Sequence, residues 1–390
     1  MMKFRSPVPI AVLVLGVGFT AGCGTAAEPE PIAAPSVTSA ATSAEATTEA
    51  TAPPPPLDPC AAFVGSLTER QRLAQLLTVG VTGTDDAVNI VATEQVGGIF
   101  IGSWTDSQTL ANREVPRIAA AAAVPPMVTI DEEGGRVSRV EDLLGSDPSA
   151  RETARAMSVD ETYRMALERG RGLKDLGVTV DYAPVVDVSS QPDDSVIGDR
   201  SYSSDPNEVI AYAGAYAQGL RDAGVSPVLK HFPGHGSGSG DSHTGEVTTP
   251  PLDQLRQSDL LPYTALSQTG VGIMVGHLDV PGLTDPGVPA SISPAAMALL
   301  RDGVGYGASP FTGPIFTDDL SGMAAITDRL GIVAAVEAAL VAGADIALWL
   351  TTDDVPQVLD NLENAVATGR LPAPQVDASA ATVARFKGAC

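Results

Sequence analysis

Positions 230–247 read KHFPGHGSGSGDSHTGEV, setting three of the chain's four histidines among five glycines. So little of this stretch is apolar that its titratable groups call for a chemical explanation. His231, His235, Asp241 and His243 first suggest a metal site, because a His-x3-His pair on a helix aims two imidazoles at one ion. Pro233, Gly234 and Gly236 argue against that helix, and without it the convergence is lost, so no metal or other cofactor is expected. His235, in a Pro-Gly-His-Gly turn, reads as a residue that hydrogen-bonds the loop. Asp241 and His243 differ. Two apart in an extended segment they point the same way, and a carboxylate accepting from an imidazole fixes its tautomer and makes it a proton donor near neutral pH. The intervening SGSG run would let this dyad swing over a bound substrate.

A proton donor needs a partner, and GPIFTDDL supplies one in Asp318, the first carboxylate beyond an apolar run and the natural nucleophile. Asp319 alternates away from it and is expected to support the following helix. Other polar groups also cluster behind apolar runs: Asp131 in IDEEGGRVSR, Lys230 with His231, and His277.

The elements that must carry these groups form one series. Apolar runs at 76–80, 97–102, 125–131, 178–188, 226–232, 271–277, 313–319 and 344–350 alternate with amphipathic helical segments. Eight strand–helix repeats predict an α/β protein with a single (β/α)8 barrel of the TIM type. An open doubly wound sheet is the structural alternative, but it lacks a phosphate-binding glycine fingerprint after the first strand. In a barrel the polar groups just named would share the C-terminal rim, where barrel enzymes place their chemistry.

The chain has 390 residues and a formal charge of −24, which excludes attraction to a nucleic-acid backbone. Residues 1–23, MMKFRSPVPIAVLVLGVGFTAGC, have the layout of an export signal: basic start, apolar run, small residues. TAGC resembles a bacterial lipobox, with Thr20 where Leu is usual, which makes Cys23 the expected lipidation site. Residues 24–57 are too poor in apolar side chains to fold and form an extended tether. The expected domain is 58–390, exported and held at the extracytoplasmic face by a lipid anchor alone. With Cys23 acylated, Cys60 and Cys390 remain in an oxidising compartment, and a barrel sets its first and last elements side by side, so the two are expected to pair.

KHFPGHG followed by DSH, with DEEGGRVSR, IGDRSY and FTDDLS, resembles the bacterial β-N-acetylglucosaminidases of glycoside hydrolase family 3, over most of 58–366. The resemblance implies a retaining mechanism in which Asp318 attacks the anomeric carbon, His243 protonates the leaving oxygen and Asp241 supports His243. It also implies that Asp131, Arg139, Arg200, Lys230 and His231 hold the sugar, with Asp187 and His277 behind them. Arg136, Glu132 and Glu133 fit either a salt-bridged turn or direct contact. Glu132, Gly322 and the Ser237–Gly238 pair depart from the family's common residues at those positions.

The implied function is an exo-β-N-acetylglucosaminidase, acting as a monomer on cell-wall muropeptides or similar β-linked glycosides. A β-glucosidase or β-xylosidase of the same family is the competing enzyme, although such relatives usually carry a second domain and only some forty residues follow the eighth run. A sugar-binding lipoprotein without catalysis is the competing class, but binding alone would not require Asp241, His243 and Asp318 together.

Overall fold

A computed structural model describes residues 59–390. The export signal, Cys23 and the tether lie outside the described residues. Eight parallel strands close into a barrel in sequence order: β1 (Leu77–Gly80), β2 (Gly98–Ile101), β3 (Met127–Ile130), β4 (Val180–Asp181), β5 (Ser226–Phe232), β6 (Gly272–Val275), β7 (Ile315–Asp319) and β8 (Ile346–Trp349). Pairing of Leu77 with Ala347 and of Val79 with Trp349 joins first strand to last. All eight expected runs supply a strand, so the fold is the predicted (β/α)8 barrel.

The fourth run is the exception in extent. Val178 to Val188 reads as one long strand, yet regular pairing stops at Asp181 and resumes only as a single bridge between Val185 and Lys230. Pro184 has no N–H to give the ladder, which accounts for the break. The chain beyond it is free to carry Asp187 to the rim.

Two register irregularities fall where the candidate site residues sit. The β5–β6 pairing shifts between Leu229 and Phe232, and the β7–β8 pairing shifts between Phe316 and Asp319. Such bulges re-aim the side chains they contain. Lys230, His231 and Asp318 are among those side chains.

The barrel interior is a packed core. Tyr182 stacks on Phe100 at 5.8 Å between ring centroids and meets Phe316 edge-on at 5.6 Å. Each such fully buried aromatic contributes roughly 1.5–3 kcal/mol relative to exposure. Outside, the helices begin on the signals expected of them. Ser158 and Glu161 form a reciprocal cap on helix Val159–Asp175, while Asp205, then Pro206 at the first helical position, start helix Pro206–Ala223, which ends on left-handed Gly224. Among the described residues no helix is long and apolar enough to cross a membrane.

Helix Ala373–Phe386 closes the N-terminal end of the barrel. Ser379 donates to Asp345 just before β8 at 2.7 Å, Phe386 packs on Phe316, and Lys387 reaches Gln75 just before β1. The first helix, Pro59–Gly65, packs beside it, and Cys60 is bonded to Cys390 as expected, with Cα atoms 5.1 Å apart across 330 residues of sequence. In the chain-entropy account, closing so long a loop contributes on the order of 5 kcal/mol.

Candidate active site

At the opposite, C-terminal end the strands surround a cavity of about 300 Å³. Asp131, Arg139, Arg200, Lys230, His231, His243 and Asp318, gathered from the ends of β3, β4, β5 and β7 and the loops that follow them, all line it. Asp241 stands behind His243.

The wall formed by β3 to β5 is a network of paired charges. Lys230 Nζ lies 2.6 Å from Asp131 Oδ1 and 2.6 Å from Glu133 Oε1. Arg200 grips Glu133 with two bonds of 2.7 and 2.8 Å, and Arg139 approaches Asp131 at 3.9 Å. Burial alone would neutralise Glu133, but Arg200 and Lys230 overcome it and hold the carboxyl far below its usual range. Burial likewise opposes the Lys230 charge, which Asp131 and Glu133 raise above the ordinary lysine value. Glu133 and Lys230 are therefore held in their charged forms, and the paired wall is fixed before any ligand arrives, which suits it to a rim of hydroxyls.

Behind this wall Asp187, released from the broken fourth strand, accepts from His231 Nδ1 at 2.7 Å and from the backbone N–H of His235 at 2.7 Å. His231 Nε2 faces Arg200 at 3.4 Å. A side chain at position 236 would place its Cβ 2.0 Å from the Val188 carbonyl oxygen, so only glycine lets the loop descend this close to the β4 extension.

Asp318 is buried at the cavity floor, and one oxygen accepts from the Asp319 N–H at 2.9 Å. Burial would raise its carboxyl, but the His231 and His277 imidazoles, that N–H and Lys230 draw it below the usual value, leaving a carboxylate with an oxygen free for chemistry. Asp319 does turn away as expected: it accepts from the Ser321 and Gly322 N–H groups at 2.8 Å each. His277 supports the same turn, bonding Ser291 at 2.6 Å and the Asp319 carbonyl at 2.7 Å.

Asp241 and His243 form the expected dyad, with Nδ1 and Oδ1 2.8 Å apart, but by a different route. The segment is a turn, not an extended strand. The His243 N–H also donates to Asp241 Oδ1, at 2.9 Å, so one oxygen holds both backbone and ring. These bonds, offsetting the cost of burial, lower the Asp241 carboxyl below its usual range. The His243 side chain is 58% exposed, so it stands on the rim of the cavity that Asp318 also lines rather than in the wall. Ala325 N–H, just after β7, donates to the Ser242 carbonyl at 3.1 Å and joins the dyad loop to the nucleophile strand.

Three further residues matter to the cavity. Glu133 is central to the charge network, and its spacing of two from Asp131 is the local signal for a shared face. His235 lines the cavity with Nε2 buried and unpartnered, whereas the expected loop-bonding role falls to its backbone. Trp104, from the loop after β2, forms part of the lip and carried no sequence signal. Arg136 and Glu132 belong to structural turns: Arg136 bonds the Val196 carbonyl and Asp199, and Glu132 accepts from Ser138 and the Arg139 N–H.

Asp259 packs beneath Gly234 with one oxygen unpartnered. Burial pushes its carboxyl up to about 6 against the Ser258 hydroxyl bond, and the Asp187 charge adds to the rise. Because the folded value exceeds the unfolded one of about 3.9, this group's stabilising contribution is complete below pH ~4 and is lost as pH rises through ~6. Asp259→Asn should therefore be more stable than the parent at neutral pH, by about 2 kcal/mol, with the difference shrinking toward pH 4. Thermal melts of both proteins from pH 4 to 7 check this; a pH-independent difference would refute it.

A buried carboxylate, an imidazole on the rim and a fixed ionic wall form a set suited to cleaving an acetal bond held by hydroxyls. The sequence profile of the glycosyl hydrolase family 3 N terminal domain matches residues 68–386. The chain belongs to glycosyl hydrolase family 3. It is a glycoside hydrolase, and its similarity to individual members is high. It is 59% identical over 324 residues to the beta-hexosaminidase LpqI of Mycobacterium tuberculosis, covering 83% of each chain. The solved structure of M. tuberculosis LpqI superposes with a TM-score of 0.83 at 58% identity, over 84% of this chain and 96% of that one. A family 3 β-N-acetylglucosaminidase from Paenibacillus sp. FPU-7 superposes with a TM-score of 0.77 at 30% identity, over 83% of this chain and 62% of that one.

Proposed function

We propose that this family 3 enzyme is a retaining exo-β-N-acetylglucosaminidase that removes terminal β-linked N-acetylglucosamine from cell-wall muropeptides or related glycosides. The observation that carries the reading is the pairing of a buried carboxylate, Asp318, with an imidazole dyad, Asp241–His243, where most glycosidases use two carboxyl groups. The beta-hexosaminidase and β-N-acetylglucosaminidase relatives support the sugar class.

In the first step an Asp318 oxygen bonds to C1 while the C1–O bond to the leaving group breaks, and the departing oxygen takes the proton from His243 Nε2. Asp241 on Nδ1 stabilises the charge that Nε2 gives up and regains. In the second step water loses a proton to the same Nε2 and attacks C1, and Asp318 departs. Two inversions return the β configuration. Asp131, Arg139, Arg200, Lys230 and His231 hold the ring hydroxyls throughout.

The test is hydrolysis of 4-nitrophenyl β-N-acetylglucosaminide against the matching β-glucoside, with the first product anomer read by NMR. Preference for the N-acetylated sugar and initial release of the β anomer are expected. A preferred glucoside or an initial α product would overturn the reading.

The proposed acting unit is a monomer. Its proposed location is the extracytoplasmic face of the membrane, with Cys23 as the acylated residue. Metabolic labelling with a fatty acid should mark the protein and fail to mark Cys23→Ser; a labelled Cys23→Ser protein would remove the anchor.

A further inference from the structure

A second cavity, of about 380 Å³, opens between the loops that follow β1 and β8, beside the active site. Thr82, Asp86, Thr352 and Asp353 contribute to its wall, and it shares Trp104 and Leu350 with the first. The indole is 43% exposed, yet it is held firmly. A Cβ at Gly102 would lie 2.3 Å from the ring, so glycine alone lets Trp104 lie back on the end of β2. Phe100 backs it at 5.9 Å. Thr105 pins the turn, accepting from the Gly102 N–H at 3.0 Å and donating to the Val81 carbonyl at 2.7 Å.

The polar wall is equally set. Asp86 accepts from Thr82 N–H at 2.8 Å and from Thr352 Oγ1 at 2.9 Å. The Leu350 N–H donates to Ser321, whose hydroxyl donates in turn to Asp319, the neighbour of Asp318. One chain of bonds thus ties the shared wall to the nucleophile turn.

The ionic groups that hold hydroxyls come from β3 to β5, and the dyad loop is hydrogen-bonded to the segment after β7. Trp104 and Leu350 line both cavities, so the second adjoins any sugar seated against the first set. We propose that the second cavity binds a second pyranose ring, that of a saccharide leaving group, with Trp104 as its stacking platform. A pyranose offers an apolar C–H face to the indole and hydroxyls to the threonines and to the exposed Asp353 carboxylate. The inference rests on the glycosidase reading above.

Its test compares kcat/KM for N,N′-diacetylchitobiose and for β-N-acetylglucosaminyl fluoride, whose leaving group cannot reach the second cavity. Trp104→Ala should lower the disaccharide value about tenfold more than the fluoride value, and Trp104→Phe should restore most of the difference. Asp353→Ala should lower the disaccharide value about threefold and spare the fluoride. Equal losses on both substrates would make Trp104 a support of the active-site wall and overturn the second site, as would an undiminished disaccharide rate. A parent enzyme that cleaved neither substrate would overturn the glycosidase reading itself, and the second site with it.

Discussion

Asp318→Asn should lose turnover on every glycoside, by at least about four orders of magnitude, while folding and binding sugar. The carboxamide keeps an oxygen to accept from the Asp319 N–H, so the end of β7 retains its hydrogen bond. It cannot attack carbon, and no improvement of the leaving group replaces that step. The same substitution removes a buried negative charge facing His231, His277 and Lys230. Binding of N-acetylglucosamine by calorimetry and an unfolding midpoint close to the parent's would separate lost chemistry from lost structure. Residual turnover within tenfold of the parent on any substrate would assign the nucleophile elsewhere.

The second large effect depends on the substrate. His243→Ala should cost about two to four orders of magnitude on saccharide leaving groups, which need a proton to depart. For an activated aryl glycoside the first step needs no proton and should proceed near the parent rate. Its second step should not, because the same imidazole takes the proton from water. The glycosyl-enzyme then accumulates, and a stoichiometric burst of aryl alcohol should precede slow turnover. The ring is on the rim and its hydrogen bonds are local to 241–243, so truncation leaves the barrel undisturbed. Equal impairment of both substrate types without a burst would leave the dyad loop as a binding element only.

The barrel and the members of its site were readable in the sequence for different physical reasons. Strands buried on both faces are continuous apolar runs, and the groups just beyond them had to share one rim, which is why Asp131, Lys230, His231 and Asp318 could be placed together. What the sequence hides are relations between distant segments. Glu133 owes its role to Arg200 and Lys230, 67 and 97 positions away, and only its spacing of two from Asp131 sets it apart locally from Glu132. The early end of β4 did have a local sign in Pro184, which the apolar character of the surrounding run obscured. The dyad's members were legible, but its geometry was not: a two-residue spacing serves an extended strand and an aspartate-capped turn equally well, and only the backbone bond to Asp241 decides between them. Trp104 gave no sign, because its exposure depends on Gly102 lying beneath it in space.

The Cys60–Cys390 bond makes the segment between those residues a covalent ring. A single peptide cleavage in any of the rim loops, the glycine-rich dyad loop included, then opens the ring without releasing a fragment. The nicked molecule is in effect a circular permutant, its new ends at the rim and its old ends still joined beneath the barrel. The loops that carry the chemistry can thus be cut one at a time without severing any strand from the other seven.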